Sequence, residues 1–229
     1  MRTSTFMTKM PHQLCDLVRR SQSFNVGVTS LFPSDSLEVL PFDGSAQLFP
    51  HFLSALDANE CFSALMSEVP WEEHHLVLFG KKVPEPRRSA WIADNNIHYT
   101  YSGVERTAHT WTPTLAKVRN ALVQQTGHNF NSALANLYRD GNDAMGWHSD
   151  DEPCNGPEPV IASVSFGAER RFDFRHRLSK EKTSIILPHG SLLLMSGLSQ
   201  HCWQHSIARS KKVTSSRINL TFRFVTTAT

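Results

Sequence analysis

The chain has 229 residues, of which 40% are hydrophobic and 19% are charged, and its formal net charge is +2. This composition supports a substantial hydrophobic core and excludes an intrinsically disordered chain. So small a positive charge does not by itself argue for a nucleic acid partner. Any phosphate contacts have to come from local basic clusters.

The same composition predicts a compartment. No apolar run approaches the roughly 20 residues of a membrane span, and the N-terminus lacks the core of a signal peptide. The four cysteines form no CxxC pair, and their spacing favours free thiols in a reducing compartment. We therefore expect a soluble, intracellular monomer without membrane contacts, cytoplasmic in a bacterium or nuclear in a eukaryote.

Residues 1–40 are weakly periodic and predict an N-terminal extension. Two helices are expected after them. The first is predicted to begin with Asp57 as its N-cap, with a glutamate three residues later, and to end at Pro70. The second is predicted to have Thr112 as its N-cap, proline at its first position and Gly127 as its stop.

After residue 127 the chain consists of short strand-like segments separated by turn residues, such as "FNSALANLY", "PVIASVSFG" and "RINLTFRFV". Their spacing is typical of a sandwich or barrel. Helices followed by a run of antiparallel strands predict an α+β fold that is mainly β.

The stretch before the second helix combines basic and aromatic residues on strand-like segments. They are Lys81, Lys82, Arg87, Arg88, Trp91, Tyr99 and Tyr101. Charge for phosphates and flat rings for bases are what a nucleic acid surface needs. A solvated hairpin with half-buried aromatic side chains explains the same pattern.

A metal site is suggested by "GWHSDDEP", residues 146–153. On an extended segment, His148 and Asp150 point the same way, so both can reach one ion. A site of two histidines and one carboxylate needs a second, distant histidine. The candidates are His176, His189, His201 and His205.

The last predicted strand, "SRINLTFRFV", alternates between apolar and polar residues. Arg217 and Arg223 lie on its polar face, together with an asparagine and a threonine. The planar guanidinium suits carboxylates, so one arginine could hold each end of a dicarboxylate. Asn136 and Tyr138 also share one strand face and can hydrogen-bond a small acid. The alternative is the solvent face of an edge strand.

Taken in order, N-x-Y, H-x-D-x-E, a distal histidine and R-x-N-x-T-x-R resemble the AlkB-type iron(II)/2-oxoglutarate dioxygenases. The resemblance covers roughly residues 75–225, with the motifs in the family's order. It implies a double-stranded β-helix, or jelly-roll, core with flanking N-terminal helices. Residues 41–112 would form a nucleotide-recognition lid and supporting helix, and residues 113–229 the catalytic core, within one structural domain.

The resemblance also implies the site. It makes His148, Asp150 and His205 the iron ligands, with Asp150 also counted as catalytic. The 2-oxoglutarate contacts would be Asn136, Tyr138, Arg217, Asn219 and Arg223, with Arg223 at the C5 carboxylate and Arg217 on the C1 side. The substrate contacts would be Tyr99, Tyr101, Ser102, Glu152, Arg87 and Arg88. Tyr101 would stack on the extruded base, with His148 closing the opposite face, and Glu152 would read the base's exocyclic nitrogen.

The activity implied is oxidative demethylation of 1-methyladenine and 3-methylcytosine in DNA, as repair of alkylation damage. It would use Fe(II), 2-oxoglutarate and O2, and release formaldehyde, succinate and CO2. Two alternatives stay open from the sequence. One is the same chemistry on RNA, protein or lipid, and the other is a β-fold nucleic-acid-binding module whose metal-ligating residues are incidental.

Overall fold

The computed structural model describes residues 36–78, 81–95, 99–101, 104–106 and 108–226. Within them the helices are α1 (Ala55–Glu68), α2 (Pro113–Thr126) and the short α3 (Ser199–Cys202), with a 3-10 turn at Pro153–Asn155. The strands are β1 (Leu37–Glu38), β2 (Ser45–Phe49), β3 (Glu72–Leu78), β4 (Lys81–Ala93), β5 (Tyr99–Tyr101), β6 (Val104–Arg106), β7 (Ser132–Tyr138), β8 (Met145–His148), β9 (Ile161–Gly167), β10 (Arg170–His176), β11 (Lys182–Leu187), β12 (Leu192–Ser196), β13 (Trp203–Ile207) and β14 (Arg217–Arg223).

The strands form a large sheet and a smaller one. The large sheet has the order β1-β2-β12-β9-β14-β7-β4-β3, and the smaller one the order β11-β10-β13-β8. A separate ribbon pairs β5 with β6. Every pairing between these strands is antiparallel. The expected α+β, mainly β architecture is therefore confirmed.

The first helix begins earlier than the sequence predicts. Its N-cap is Ser54, whose Oγ accepts a hydrogen bond from the backbone N–H of Asp57 at 3.1 Å and donates one to that carboxylate at 2.7 Å. The prediction of Asp57 as N-cap was wrong because two overlapping capping patterns compete, and the one led by the serine prevails. In α2 the predicted Thr112 cap and Gly127 stop are confirmed, with the glycine at φ 72°.

The main core lies between the helices and one face of the large sheet. From β14, Ile218, Leu220 and Phe222 are fully buried against Leu65 of α1 and Leu122 of α2. Since side chains alternate along a strand, the polar residues of β14 must face the other way. The packing of the helices therefore turns the polar stripe of this central strand away from them.

Three further expectations meet the structure here. Cys61 and Cys154 carry free thiols, whereas Cys202 is disulfide-bonded, so the expectation of free thiols is wrong for that residue. Across the described ranges, no helix is long and apolar enough to cross a membrane. Strands β1 to β4 join β7 in one sheet, while the division at residues 40 and 112 stays a prediction.

Candidate active site

A pocket is lined by residues from both sheets and encloses about 510 Å³ of atom-free space, counting its open mouth. Most of its polar side chains belong to the motifs singled out in the sequence. From the large sheet come Leu134, Asn136, Tyr138, Ser163, Met195, Asn219, Thr221 and Arg223, and from the smaller sheet and its loops come Met145, His148, Asp150, Phe172, His205 and Ile207.

Three of these side chains converge at one point. His148, Asp150 and His205 each offer a ligand atom, and these atoms lie within 4.8 Å of one another. His205 stands opposite His148 in the pairing of β13 with β8, their ring centroids are 4.2 Å apart, and His205 Nε2 is 3.7 Å from Asp150 Oδ2. Two histidines and one carboxylate are also the ligand set of the facial triad in non-haem Fe(II) sites, so these three residues could hold such an ion.

The protonation states of these groups suit metal binding. Burial alone would raise the pKa of Asp150, but the charges of Arg223 and the two histidines lower it to about 2. Burial, together with His148, lowers the pKa of His205 to about 3. At neutral pH the carboxylate is therefore ionised and His205 is neutral, and these are the forms that ligate metals.

Neighbouring residues hold the three ligands in place. Nδ1 of His148 bonds the backbone oxygen of Gly146 at 2.8 Å, which leaves its Nε2 for an ion. The backbone N–H of Asp150 donates to Oε1 of buried Gln200 at 3.0 Å, and Arg223 Nη2 donates to Asp150 Oδ1 at 2.5 Å. Such outer contacts fix the orientation of metal ligands.

The structure also decides among the distal histidines. His189 Nδ1 accepts a bond from the backbone N–H of Gly167, and the His201 ring contacts the backbone oxygen of Pro157. His176 clusters with Asp43 and Cys202, but the disulfide of this cysteine removes its thiolate as a ligand. Only His205, of the four candidates, joins the cluster of His148 and Asp150.

The polar stripe of β14 lies inside the protein. β14 pairs with β7 on one side and β9 on the other, and all seven of its residues are buried. The alternative of an edge-strand solvent face is therefore wrong. Arg217 is 0% exposed, and burial lowers its pKa to about 10, which leaves it charged at neutral pH.

Arg217 also has donors that the protein does not use. Its Nη2 donates to Ser165 Oγ and to Asn219 Oδ1, both at 2.9 Å. Its Nε and Nη1 are buried and have no hydrogen-bond partner among the described residues. Buried donors of a charged group that make no hydrogen bond lower the stability of the protein. A ligand with carboxylate oxygens would satisfy them, so the residues fit a bound dicarboxylate.

The two arginines lie at different distances from the cluster of His148, Asp150 and His205. Arg223 contacts Asp150 directly, whereas Arg217 is six residues away along the same strand. The Arg217 guanidinium carbon is 5.3 Å from the ring centroid of Tyr138. This placement favours the reverse of the order expected from the sequence, with Arg223 beside the metal end and Arg217 at the far end.

Three of the expected substrate contacts have side chains in the described part of the chain. Glu152 is half-buried two residues after Asp150, and its Oε2 accepts a bond from Asn155 Nδ2 at 3.0 Å. Arg88 is exposed and pairs with Glu73. Arg87 is buried and paired with Glu85, and its expected contact with the substrate stays a prediction.

The remaining expected substrate contacts are Tyr99, Tyr101 and Ser102. Ser102 and the side chains of Tyr99 and Tyr101 lie outside the described part of the chain. The role of Tyr101 in stacking therefore stays a prediction.

Sequence patterns missed several residues that support the site. Gln200 holds the backbone of Asp150, Asn155 holds Glu152, and Ser163 Oγ donates to Asn219 Oδ1 at 2.9 Å. None of the three belongs to a motif. Gln200 and Ser163 reach partners far away in sequence through the fold, whereas Asn155 holds Glu152 within one local turn. The one available signal was the polar serine pair on the otherwise apolar strand β9.

Comparisons with known proteins agree with this geometry. The chain matches the 2OG-Fe(II) oxygenase superfamily over residues 45–223. It is 40% identical over 189 residues to the alpha-ketoglutarate-dependent dioxygenase alkB homolog 3 of Bos taurus, covering 78% of this chain and 65% of that protein. It is also 40% identical over 178 residues to the DNA oxidative demethylase ALKBH2 of Mus musculus, covering 73% and 74% of the two chains.

A solved structure described as "The structure of OsALKBH1" is similar to this chain, with a TM-score of 0.55 at 15% sequence identity. The match covers 81% of this chain and 99% of that one, and it supports the jelly-roll fold. The chain spans about 65% of the length of the alkB homolog 3 proteins it matches. The cluster of His148, Asp150 and His205, the buried arginines of β14 and these similarities lead to one conclusion. The chain belongs to the 2OG-Fe(II) oxygenase superfamily and, within it, to the AlkB-type dioxygenases.

Proposed function

We propose that this protein oxidatively demethylates N-alkylated bases, such as 1-methyladenine and 3-methylcytosine, in DNA. It would use Fe(II), 2-oxoglutarate and O2, and release formaldehyde, succinate and CO2. One observation carries the proposal: a pocket holds a cluster of two histidines and a carboxylate, and Arg217, a buried arginine with unused donors, lies on β14, one of the strands that line this pocket.

His148, Asp150 and His205 would hold the iron on one side, which leaves its other coordination positions open. When bound there together with 2-oxoglutarate, Fe(II) would activate dioxygen for the oxidation of an N-methyl group. The protein orients the co-substrate by charge. Arg223 lies beside Asp150 and would face the C1 end, whereas Arg217 and Tyr138 would bind the C5 carboxylate.

The proposal that the substrate is a nucleobase rests on Glu152 and on the similarity to relatives named DNA oxidative demethylases. The atoms attacked in 1-methyladenine and 3-methylcytosine lie on the pairing edge, so the base has to leave the stack. Glu152 is two residues from Asp150 and is oriented by Asn155, so it could accept a hydrogen bond from the exocyclic nitrogen of either lesion. Relatives named DNA oxidative demethylases support DNA as the substrate.

The test is formaldehyde release from DNA oligonucleotides that carry 1-methyladenine or 3-methylcytosine, with Fe(II) and 2-oxoglutarate. Matched RNA oligonucleotides and a methyl-lysine peptide run in parallel, with Asp150→Ala as the inactive control. Release from DNA but not from the peptide supports the proposal. Release from RNA alone or from the peptide alone would replace the substrate, and release from none would reject the activity.

Glu152→Gln separates reading of the base from the rest of the reaction. The amide keeps the shape of the carboxylate but loses its charge and half of its acceptor capacity. We expect kcat/KM for both lesions to fall about tenfold, the value of one charge-assisted hydrogen bond. Unchanged values would remove Glu152 from recognition of the base.

The alternative of a nucleic-acid-binding module would leave the polar residues of the pocket without a role. It predicts binding of DNA without any dependence on Fe(II) or 2-oxoglutarate. A comparison of oligonucleotide binding and turnover with and without added metal distinguishes the two. A monomeric state and an intracellular location stay predictions.

A further inference from the structure

Arg87 connects strand β4 to the pocket that Asn136 lines. It is 4% exposed, and its Nη2 lies 2.8 Å from Oε2 of Glu85, which is equally buried. Its Nε donates to Asn136 Oδ1 at 2.9 Å. One planar guanidinium therefore makes two separate contacts, an ion pair on its own strand and a hydrogen bond to a residue that lines the pocket.

The contact fixes which way the Asn136 amide points. Arginine carries only donors, so the atom facing its Nε has to be the amide oxygen. The amide nitrogen, with its two N–H donors, is then left for the pocket side. A carboxylate or keto acid accepts hydrogen bonds and does not donate them, so an inward nitrogen favours such a ligand and an inward oxygen repels it.

We infer that Arg87 is a positioning residue for the co-substrate, which holds Asn136 with its N–H donors towards 2-oxoglutarate. Arg87 does not contact the nucleic acid in this role. The inference rests on the proposed function, because it takes 2-oxoglutarate as the ligand of the pocket.

Glu85 gives the arrangement its stability. A lone buried arginine would be costly, and the ion pair with Glu85 compensates the charge without occupying Nε. The adjacent Arg88 faces the other way, with a side chain that is 44% exposed and paired with Glu73. The two neighbouring arginines therefore provide a matched pair, one turned towards the pocket and one towards solvent.

Arg87→Lys separates positioning from folding. An ammonium is a single point charge, so lysine can keep the ion pair with Glu85 but cannot also supply the planar Nε donor. We expect the urea midpoint of the variant to stay near that of the wild type. The Kd for 2-oxoglutarate, measured by calorimetry on the Mn(II)-loaded protein, should rise about tenfold, the value of one charge-assisted hydrogen bond. Arg88→Lys is the control and should change neither quantity.

Two further measurements make the test decisive. In an Asn136→Ala background, Arg87→Lys should weaken 2-oxoglutarate binding no further, because the residue through which it acts is gone. The side-chain amide signal of Asn136, followed by NMR on asparagine-labelled protein without ligand, should shift in Arg87→Lys and not in Arg88→Lys. If Arg87→Lys proves unstable, a double variant with Glu85→Gln and Arg87→Met removes both buried charges. We expect the same rise in the Kd for 2-oxoglutarate and the same shift of the Asn136 amide signal in this double variant.

The outcomes separate the two claims. Wild-type binding of 2-oxoglutarate with an unchanged Kd in Arg87→Lys overturns the inference and leaves the proposed function intact. An additive loss in the Asn136→Ala background overturns it as well. A wild type that does not bind 2-oxoglutarate overturns the proposed function instead, and the amide signal then decides alone whether Arg87 orients Asn136.

Discussion

Replacing Arg217 with methionine should weaken 2-oxoglutarate binding strongly while leaving the empty protein about as stable as before. The substitution removes two buried donors without partners, which cost about 1–3 kcal/mol each. It also gives up the two hydrogen bonds to Ser165 and Asn219, worth about 1.5–3 kcal/mol each from a charged donor. These contributions nearly cancel in the protein without ligand.

When 2-oxoglutarate is bound, the variant also loses the hydrogen bonds between Arg217 and the ligand carboxylate, and nothing offsets that loss. Truncating one partner of a buried, hydrogen-bonded charge pair costs about 2–5 kcal/mol, so we expect the Kd to rise about 30-fold or more. Calorimetric titration of 2-oxoglutarate into the Mn(II)-loaded variant measures this change. Urea unfolding of the metal-free protein measures the stability.

Arg170 is the matched control, because it is a second buried arginine near Tyr138. Its guanidinium donates to the backbone oxygens of Asp140, Asp143 and Ala208, so the protein itself uses its donors. Arg170→Met should destabilise the protein by about 3 kcal/mol or more and leave the Kd of the folded fraction unchanged. Equal destabilisation by the two substitutions, with 2-oxoglutarate binding retained in Arg217→Met, would refute the reasoning.

Other parts of the structure make further predictions. Asp150→Ala should abolish turnover and weaken Mn(II) binding at least about 100-fold, because the site loses its only carboxylate; full activity would reject the metal site. Gln200→Ala should weaken Mn(II) binding about tenfold by freeing the backbone of Asp150, and an unchanged affinity would show that Gln200 has no such role. Ser54→Ala should lower the free energy of unfolding by about 1 kcal/mol through loss of the α1 cap. Ser67→Ala, which removes an exposed hydroxyl from the same helix, should have a much smaller effect in the same urea titration.

Features that repeat over a few residues could be predicted from the sequence. The alternation of β14 separated the core-facing residues from the polar stripe, and the spacing of His148 and Asp150 placed both on one side of a short segment. The limits of α2 were predicted because threonine, proline and glycine mark its ends. Each of these patterns reflects local backbone geometry, which does not depend on the rest of the fold.

Features that depend on strand pairing could not be predicted in this way. The residue pattern alone left four distal histidines, and it is the register of β13 on β8 that brings His205 to His148. The order of the arginines depends on which end of β14 lies beside Asp150. Register is set by contacts between segments far apart in sequence, so periodicity within one strand does not determine it.

Asp150 links the two halves of the pocket. Its Oδ1 accepts from Arg223, while its Oδ2 faces His205, which is also a candidate metal ligand. Arg223 therefore lies between the carboxylate that would bind the metal and the proposed C1 end of 2-oxoglutarate. The metal ion and 2-oxoglutarate would both contact the ion pair of Asp150 and Arg223. The free energies of binding of the two ligands should therefore be coupled. By linkage, whatever factor the metal adds to 2-oxoglutarate affinity, the co-substrate adds to metal affinity.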